Sequence, residues 1–118
     1  MSERTWSRYS TLTLLLLAVL PYLNCLGNAY VYDDNFLILK HPALTGPFDL
    51  SKILFSPYWG TVQSALLWRP LTTLSFAIGP QLGVQGTLVP HLINLALHAA
   101  VTILWYRLIV RLFAREGL

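Results

Sequence analysis

The sequence predicts an all-α membrane protein with two transmembrane helices joined by an external loop. Of its 118 residues, 55% are hydrophobic and only 11% are charged, whereas a typical soluble domain has about 25% charged residues. The segment from Tyr9 to Tyr32 has no formal charge, and a second apolar segment lies near the C-terminus. Because about 20 apolar residues in a helix cross a bilayer core of about 30 Å, each segment is long enough to span.

The pattern divides the chain into five parts. They are a polar start (1–9), a first span (10–31), an aromatic-rich loop (32–87), a second span (88–112) and a polar end (113–118). Pro90 fits the first turn of the second helix, where the missing N–H of proline leaves no bond unmade. There is no internal repeat and no linker rich in glycine and serine.

Two short helices are predicted within the loop, near 50–56 and 66–79. The second is too short to cross the membrane and is predicted to stop at Gly79-Pro80. A helix that lies in the membrane interface fits its length. Trp59 and Trp68 suit the same depth, since tryptophan is enriched at headgroup level.

Basic residues flank the spans at both ends of the chain, which predicts the topology. Arg4 and Arg8 precede the first span, and Arg107, Arg111 and Arg115 lie at the end of the second. Positive residues mark the cytoplasmic side, so both ends are placed there and the neutral loop faces the periplasm or lumen. The membrane would be a bacterial inner membrane or that of the endoplasmic reticulum. The net charge of +3 forms no basic stripe, so no nucleic-acid partner is predicted.

The first apolar segment has a second interpretation, as a cleaved signal peptide. A basic start and the small triplet Gly27-Asn28-Ala29 fit it, but the apolar region is longer than a usual signal core. Cys25, the single cysteine, is interpreted as an inert thiol within this segment. Lipid attachment at that cysteine is disfavoured because the residues before it are bulky.

Four polar residues follow a helical spacing in the second span. At 100° per residue, His91, Asn94, His98 and Thr102 fall within about 80° of one another and form one stripe. Such a stripe either hydrogen-bonds to neighbouring helices or lines a site. His91 and His98 are about 10 Å apart along a helix, which disfavours a shared metal. No metal ligands and no cofactor are predicted.

Two adjacent carboxylates, Asp33 and Asp34, follow the first span directly. They either begin a solvated loop or cap a helix, or they carry chemistry. Arg69 is the only formal charge between Lys52 and Arg107. An isolated arginine among apolar residues needs a partner. The candidates are one of the two aspartates, a lipid headgroup or a substrate phosphate, which the planar guanidinium binds through two oxygens.

Four motifs in order carry a resemblance to a known family. They are Tyr-Asp-Asp (32–34), Trp-Gly (59–60), Trp-Arg-Pro-Leu-Thr-Thr-Leu-Ser-Phe (68–76) and Pro-His-Leu-Ile-Asn-Leu-Ala-Leu-His (90–98). Over residues 10–112 the chain resembles the N-terminal part of the membrane protein O-mannosyltransferases with tetratricopeptide repeats, and their bacterial relatives. These are polytopic glycosyltransferases of the GT-C fold.

The resemblance implies a lipid-linked donor, such as a polyprenyl-phosphate sugar, and a protein or glycan hydroxyl as acceptor on the non-cytoplasmic side. It implies that Asp33 and Asp34 are catalytic. A carboxylate can take the proton of the attacking hydroxyl, and Arg69 is the candidate contact for the leaving phosphate. Further residues are candidates for lining the site: Trp59, Trp68, His91, Asn94 and His98.

Length is where the chain departs from this family, whose members have many more spans. The expectation is therefore a fragment with a partial GT-C fold, inactive alone, whose partners are membrane lipids and the remaining transmembrane helices. The alternative is a small helical-hairpin membrane protein with a structural or partner-binding role. The long aromatic-rich loop (32–87) argues against a plain hairpin.

Overall fold

A computed structural model describes the backbone of residues 3–60 and 67–115, and the side chains of 9–60 and 67–114. All regular structure in these ranges is helical. The elements are α1 (Glu3–Val19), a 3₁₀ helix (Leu20–Gly27), a π-helix (Asn35–Leu39), α2 (Leu50–Phe55), α3 (Pro70–Gln81) and α4 (Leu88–Arg115). They form two compact units: the first unit comprises the residues up to Leu26 and from Leu92 onward, and the second unit runs from Gly27 to His91.

Two helical segments are long and apolar enough to cross a membrane, Tyr9–Gly27 and Leu88–Ala114. At 1.5 Å per residue, α4 is about 42 Å long, which exceeds the bilayer core. Their large apolar side chains are mostly exposed. In the first unit the rings of Tyr22 and His98 meet edge to face, with centroids 5.2 Å apart, so the 3₁₀ helix contacts α4.

The first helical segment changes from an α-helix to a 3₁₀ helix near its end. It is α-helical to Val19, continues as a 3₁₀ helix and ends at Gly27, whereas the sequence predicted a span to residue 31. Pro21 explains the change, because it has no N–H for an α-helical bond and its ring crowds the preceding turn. A 3₁₀ helix is a common form for a helix end.

The second unit has a small apolar core between α2 and α3. Its buried members are Ala43, Ile53 and Ala77, and Leu44 and Leu74 pack against them. Most large apolar side chains elsewhere in this unit are exposed. Specific hydrogen bonds, rather than a large apolar core, therefore hold the loop segments in place.

Helix α2 is capped by Asp49. The Oδ1 atom accepts from the Lys52 backbone N–H at 3.1 Å and from the Ser51 hydroxyl at 2.7 Å, as an N-cap residue does. The Ser51 bond, followed by the Lys52 N–H, lowers the pKa of the Asp49 carboxyl. The cap thus stabilises the fold above the ordinary pKa of the acid, and this contribution is lost as pH falls through the lowered value.

Helix α3 begins with Pro70 at its first position, where proline is favoured. Its end differs from the sequence prediction, since it passes through Gly79-Pro80 to Gln81. The stop is Gly83, which has φ of +72°. The Gly83 and Val84 N–H groups donate to the carbonyls of Pro80 and Gly79, so the helix closes in a Schellman motif. Gly83, and not Gly79 as predicted from the sequence, is therefore the glycine that ends α3.

His41 joins two loop segments of the second unit. Its side chain is fully buried. The Nδ1 atom accepts from the Ala43 N–H at 3.2 Å, and Nε2 lies 3.1 Å from the Pro57 carbonyl. Because Nδ1 accepts, the proton is assigned to Nε2, which donates to Pro57. Gly60 packs on the same ring and has φ of +59°.

We expect Gly60→Ala to destabilise the second unit by about 2–4 kcal/mol. A methyl group there would lie 2.9 Å from the Pro42 Cδ atom and 3.1 Å from the His41 Cδ2 atom. Both the left-handed backbone and the overpacking oppose it. Gly83→Ala, strained but unhindered, should lose about 1–2 kcal/mol.

Thermal unfolding in nanodiscs, followed by near-ultraviolet circular dichroism, measures this series. Gly46→Ala is the matched control, because it has open space and no positive φ. Equal midpoints for Gly60→Ala and Gly46→Ala would contradict the packing described for His41 and Gly60.

Candidate functional site

The two adjacent carboxylates lie on a strained turn in the second unit. Tyr32 has φ of +47°, which is unfavourable for a bulky residue by about 1–2 kcal/mol. Two hydrogen bonds of 3.0 Å close the turn: the Asp34 N–H donates to the Val31 carbonyl, and the Val31 N–H donates to Asp34 Oδ2. The π-helix follows at once, and single-turn π-helical segments are frequent at functional sites.

The two acids differ in their surroundings. Asp33 is exposed, and its carboxylate has no hydrogen bond or ion pair to any residue that the structure describes. Asp34 is half-buried and holds the turn through the Val31 N–H. Neither side chain caps the π-helix, because the Phe36 and Leu37 N–H groups donate to the Asp33 carbonyl instead. The arrangement leaves the Asp33 side chain exposed to solvent.

Tyr30 lies beside this turn. Its hydroxyl donates to the Gly86 carbonyl at 2.7 Å. Burial, and then the negative charge of Asp34, raise the pKa of the Tyr30 hydroxyl. Tyr30 therefore stays neutral and remains a hydrogen-bond donor throughout the physiological range. Its position in the sequence does not indicate this role, because a tyrosine at the end of a predicted span usually marks the membrane interface.

A cavity of about 370 Å³ opens next to Tyr30. Ile38 and Leu39 of the π-helix form part of its wall, and Phe76 of α3 contributes an aromatic ring. The polar side chains at its wall are Tyr30, Thr45 and Gln85. Its size falls in the range of small-molecule sites.

Arg69 lies over an aromatic ring. Its Cζ atom is 5.0 Å from the centroid of the buried Tyr58 ring, which is a cation–π contact. The structure gives it no ion pair with Asp33 or Asp34, so the pairing that the sequence left open is not what the structure has. The guanidinium is exposed, and its N–H groups have no acceptor among the described residues.

The two candidate tryptophans flank this pair. The Trp68 Nε1–H donates to the Leu54 carbonyl at 2.7 Å, which links the end of α2 to the residue before Arg69. The Trp59 ring meets the Tyr58 ring edge to face, with centroids 5.8 Å apart. Trp59 thus contacts the Tyr58 ring directly, whereas Trp68, which is 61% exposed, is fixed to the end of α2.

The polar residues of α4 have separate surroundings. His91 belongs to the second unit, and its Nε2 atom is buried with no hydrogen-bond partner among the described residues. In the first unit, the His98 ring packs on Tyr22 and its carbonyl accepts from the Thr102 hydroxyl at 2.9 Å. Asn94 is exposed. Within the described ranges, no group of three or more His, Cys, Asp or Glu residues could hold a metal ion.

The two exposed apolar helices fit a helical membrane protein. No family model and no solved structure matches the chain. Curated relatives do match. Protein O-mannosyl-transferase F38B6.6 of Caenorhabditis elegans is 34% identical over 101 residues, which are 82% of this chain and 15% of that protein.

Two further relatives are also named protein O-mannosyl-transferases. Protein O-mannosyl-transferase Tmtc1 of Drosophila melanogaster is 40% identical over 90 residues, 73% of this chain and 10% of that protein. Protein O-mannosyl-transferase TMTC2 of Homo sapiens is 36% identical over 85 residues, 69% of this chain and 10% of that protein. The chain is therefore a homologue of the TMTC-family protein O-mannosyltransferases over most of its own length. It spans only 10–15% of the length of these relatives.

Proposed function

We propose that this chain forms part of a membrane glycosyltransferase of the protein O-mannosyltransferase type, which uses a polyprenyl-phosphate sugar as donor. The observation that carries the proposal is the similarity to O-mannosyltransferases over 69–82% of the chain in the three relatives named above. The geometry adds the Asp33 carboxylate and the Arg69 guanidinium, which lie in the same unit and have no ion pair among the described residues. These are the two charges that transfer of a sugar from a phosphate requires.

In the proposed reaction, the Asp33 carboxylate accepts the proton of an acceptor hydroxyl. The oxygen of that hydroxyl attacks the anomeric carbon and forms the new glycosidic bond. The bond from the anomeric carbon to the phosphate oxygen breaks, and the phosphate leaves with the electron pair. Arg69 neutralises the charge that develops on the phosphate. Asp34 keeps the turn in place through the Val31 N–H.

Residues 32–87 are proposed to face the periplasm or lumen, with both chain ends in the cytoplasm and with α2 and α3 along the membrane surface. The arginines that flank the spans support this orientation. A complete GT-C site would also need further transmembrane helices, because two spans cannot enclose a lipid-linked sugar. The acceptor would be a protein or glycan hydroxyl, and His91, Asn94 and His98 are candidates for lining the site.

We expect a cysteine at Pro47 to react with a membrane-impermeant maleimide only from the non-cytoplasmic side. The test uses Pro47→Cys in a Cys25→Ser background, since Cys25 is the only native cysteine. Ser2→Cys is the control and should react only from the cytoplasmic side. Labelling of both positions from the same side would reject the topology.

A chimaera tests the function itself. Residues 1–118 replace the matching segment of one of the relatives named above, and membranes are assayed for mannose transfer from polyprenyl-phosphate mannose to an acceptor peptide. We expect transfer by the chimaera and none by a form that lacks the segment. An expressed chimaera that folds but transfers no sugar would argue for the hairpin alternative.

A further inference from the structure

We propose that His41 is a positioning residue that holds the Tyr58–Arg69 pair where Arg69 can contact a phosphate. The inference rests on the proposed function of Arg69. His41 lies far from Arg69 in the sequence, and nothing in the sequence pattern connects the two. The connection is a series of contacts within the second unit.

The first contact is the hydrogen bond from the His41 Nε2–H to the Pro57 carbonyl, 3.1 Å long. Pro57 directly precedes Tyr58, so this bond fixes the peptide that carries the ring under Arg69. On the other side of the imidazole, Nδ1 accepts from the Ala43 N–H. This second bond fixes the tautomer and orients the ring.

Tyr58 is held from two further directions. Its N–H donates to the Leu67 carbonyl at 2.7 Å, which joins it to the segment that leads into Arg69. Gly60 lies against the His41 ring at a distance that leaves no room for a side chain. His41 is thus the point at which the residues before and after Tyr58 are fixed. The 5.0 Å spacing between Arg69 and the Tyr58 ring depends on it.

A direct chemical role for His41 does not fit these contacts. The side chain is fully buried, and both ring nitrogens are occupied by backbone partners. No ring nitrogen remains to donate to or accept from a substrate. Its influence on an anionic ligand must therefore pass through Tyr58 and Arg69.

Two substitutions separate the two bonds of the imidazole. A glutamine side chain reaches about as far as Nε2 and can donate to Pro57, whereas an asparagine oxygen stands near the Nδ1 position and can accept from Ala43 but cannot reach Pro57. Both variants lose one buried hydrogen bond. If His41 positions Arg69 through the bond to the Pro57 carbonyl, only His41→Asn should weaken the binding of a phosphate by Arg69.

The test uses the chimaera in nanodiscs of zwitterionic lipid, titrated with farnesyl phosphate, because two spans alone cannot enclose a lipid-linked sugar. Farnesol measures binding of the tail alone, and inorganic phosphate measures binding of the anion alone. The variants are His41→Gln, His41→Asn, Arg69→Ala and the double variant His41→Asn with Arg69→Ala. Binding is measured where near-ultraviolet circular dichroism shows each variant to be folded. Gly60→Ala replaces the asparagine variant if the latter is unfolded, because it displaces the same junction.

We expect His41→Gln to bind farnesyl phosphate within about threefold of the wild type, and His41→Asn and Arg69→Ala to bind about tenfold more weakly. The double variant should bind no more weakly than Arg69→Ala, because both changes remove one contact. Wild-type binding by His41→Asn beside a weakened Arg69→Ala would overturn the inference and leave the proposed function standing, and so would additive losses in the double variant. Unchanged binding by Arg69→Ala would instead reject the phosphate contact itself.

Discussion

Asp33→Asn is expected to lower sugar transfer by the chimaera by 10²–10⁴-fold, as loss of a general base typically does. Asparagine keeps the size and shape of the side chain and loses the basic oxygen. Because the Asp33 carboxylate is exposed and has no partner among the described residues, its replacement should leave the turn and the thermal midpoint unchanged. Initial rates with polyprenyl-phosphate mannose measure the effect.

Asp34→Asn is the matched control for this prediction. Its remaining carbonyl oxygen can still accept from the Val31 N–H, so the strained turn at Tyr32 is retained. We expect a smaller loss than for Asp33→Asn. A dead Asp34→Asn beside an active Asp33→Asn would exchange the two roles. Activity in both variants would end the catalytic interpretation of the acid pair.

Arg69→Ala is expected to lower kcat/KM for the lipid-linked donor by about 10–100-fold. A charge-assisted hydrogen bond to the leaving phosphate contributes roughly 1.5–3 kcal/mol, which the alanine variant forgoes. Arg69→Lys should recover part of the loss, because it retains the charge but not the planar fork of donors. Steady-state kinetics with varied donor concentration measure both variants.

Tyr58→Phe is the control for the arginine series. It keeps the ring face under the guanidinium and should retain nearly normal kinetics, since cation–π attraction needs only the ring. Tyr58→Leu should fall between the wild type and Arg69→Ala. If Arg69→Ala retained wild-type kcat/KM, the phosphate would have to be neutralised by another group.

The all-helical architecture with two apolar helices follows from the sequence, because the length of an apolar run and the scarcity of charge are local properties. The ends of helices were less predictable. Gly79-Pro80 has the composition of a terminator, yet Gly79 is buried, and a methyl group on it would lie 3.1 Å from the Val84 carbonyl oxygen and 3.3 Å from the Val89 Cβ atom. Gly79 is small for close packing, while Gly83 adopts the left-handed conformation that ends α3. Composition alone does not distinguish these two uses of glycine.

The candidate site was predictable only as a set of residue types. Chain order places Asp33 and Asp34 directly after a span, and this much is visible in the sequence. Which of the two is free and which is bonded depends on a turn with a positive φ at Tyr32, which no propensity favours. The sequence does not identify the partner of Arg69, because tertiary contacts decide which group lies against the guanidinium. The structure supplies the face of Tyr58 rather than a carboxylate.

The small apolar core between α2 and α3 affects how this segment can drift over evolution. Ala43, Ile53 and Ala77 are its buried members, with Leu44 and Leu74 packed against them, while Leu71 and Phe55 are more than 70% exposed. Exchanges among large apolar residues at such exposed positions should be close to neutral. Selection would instead act on the small and polar residues that join the loops. The tolerance of this unit to substitution would then be the reverse of that in a soluble domain, where the large apolar residues of the core change least.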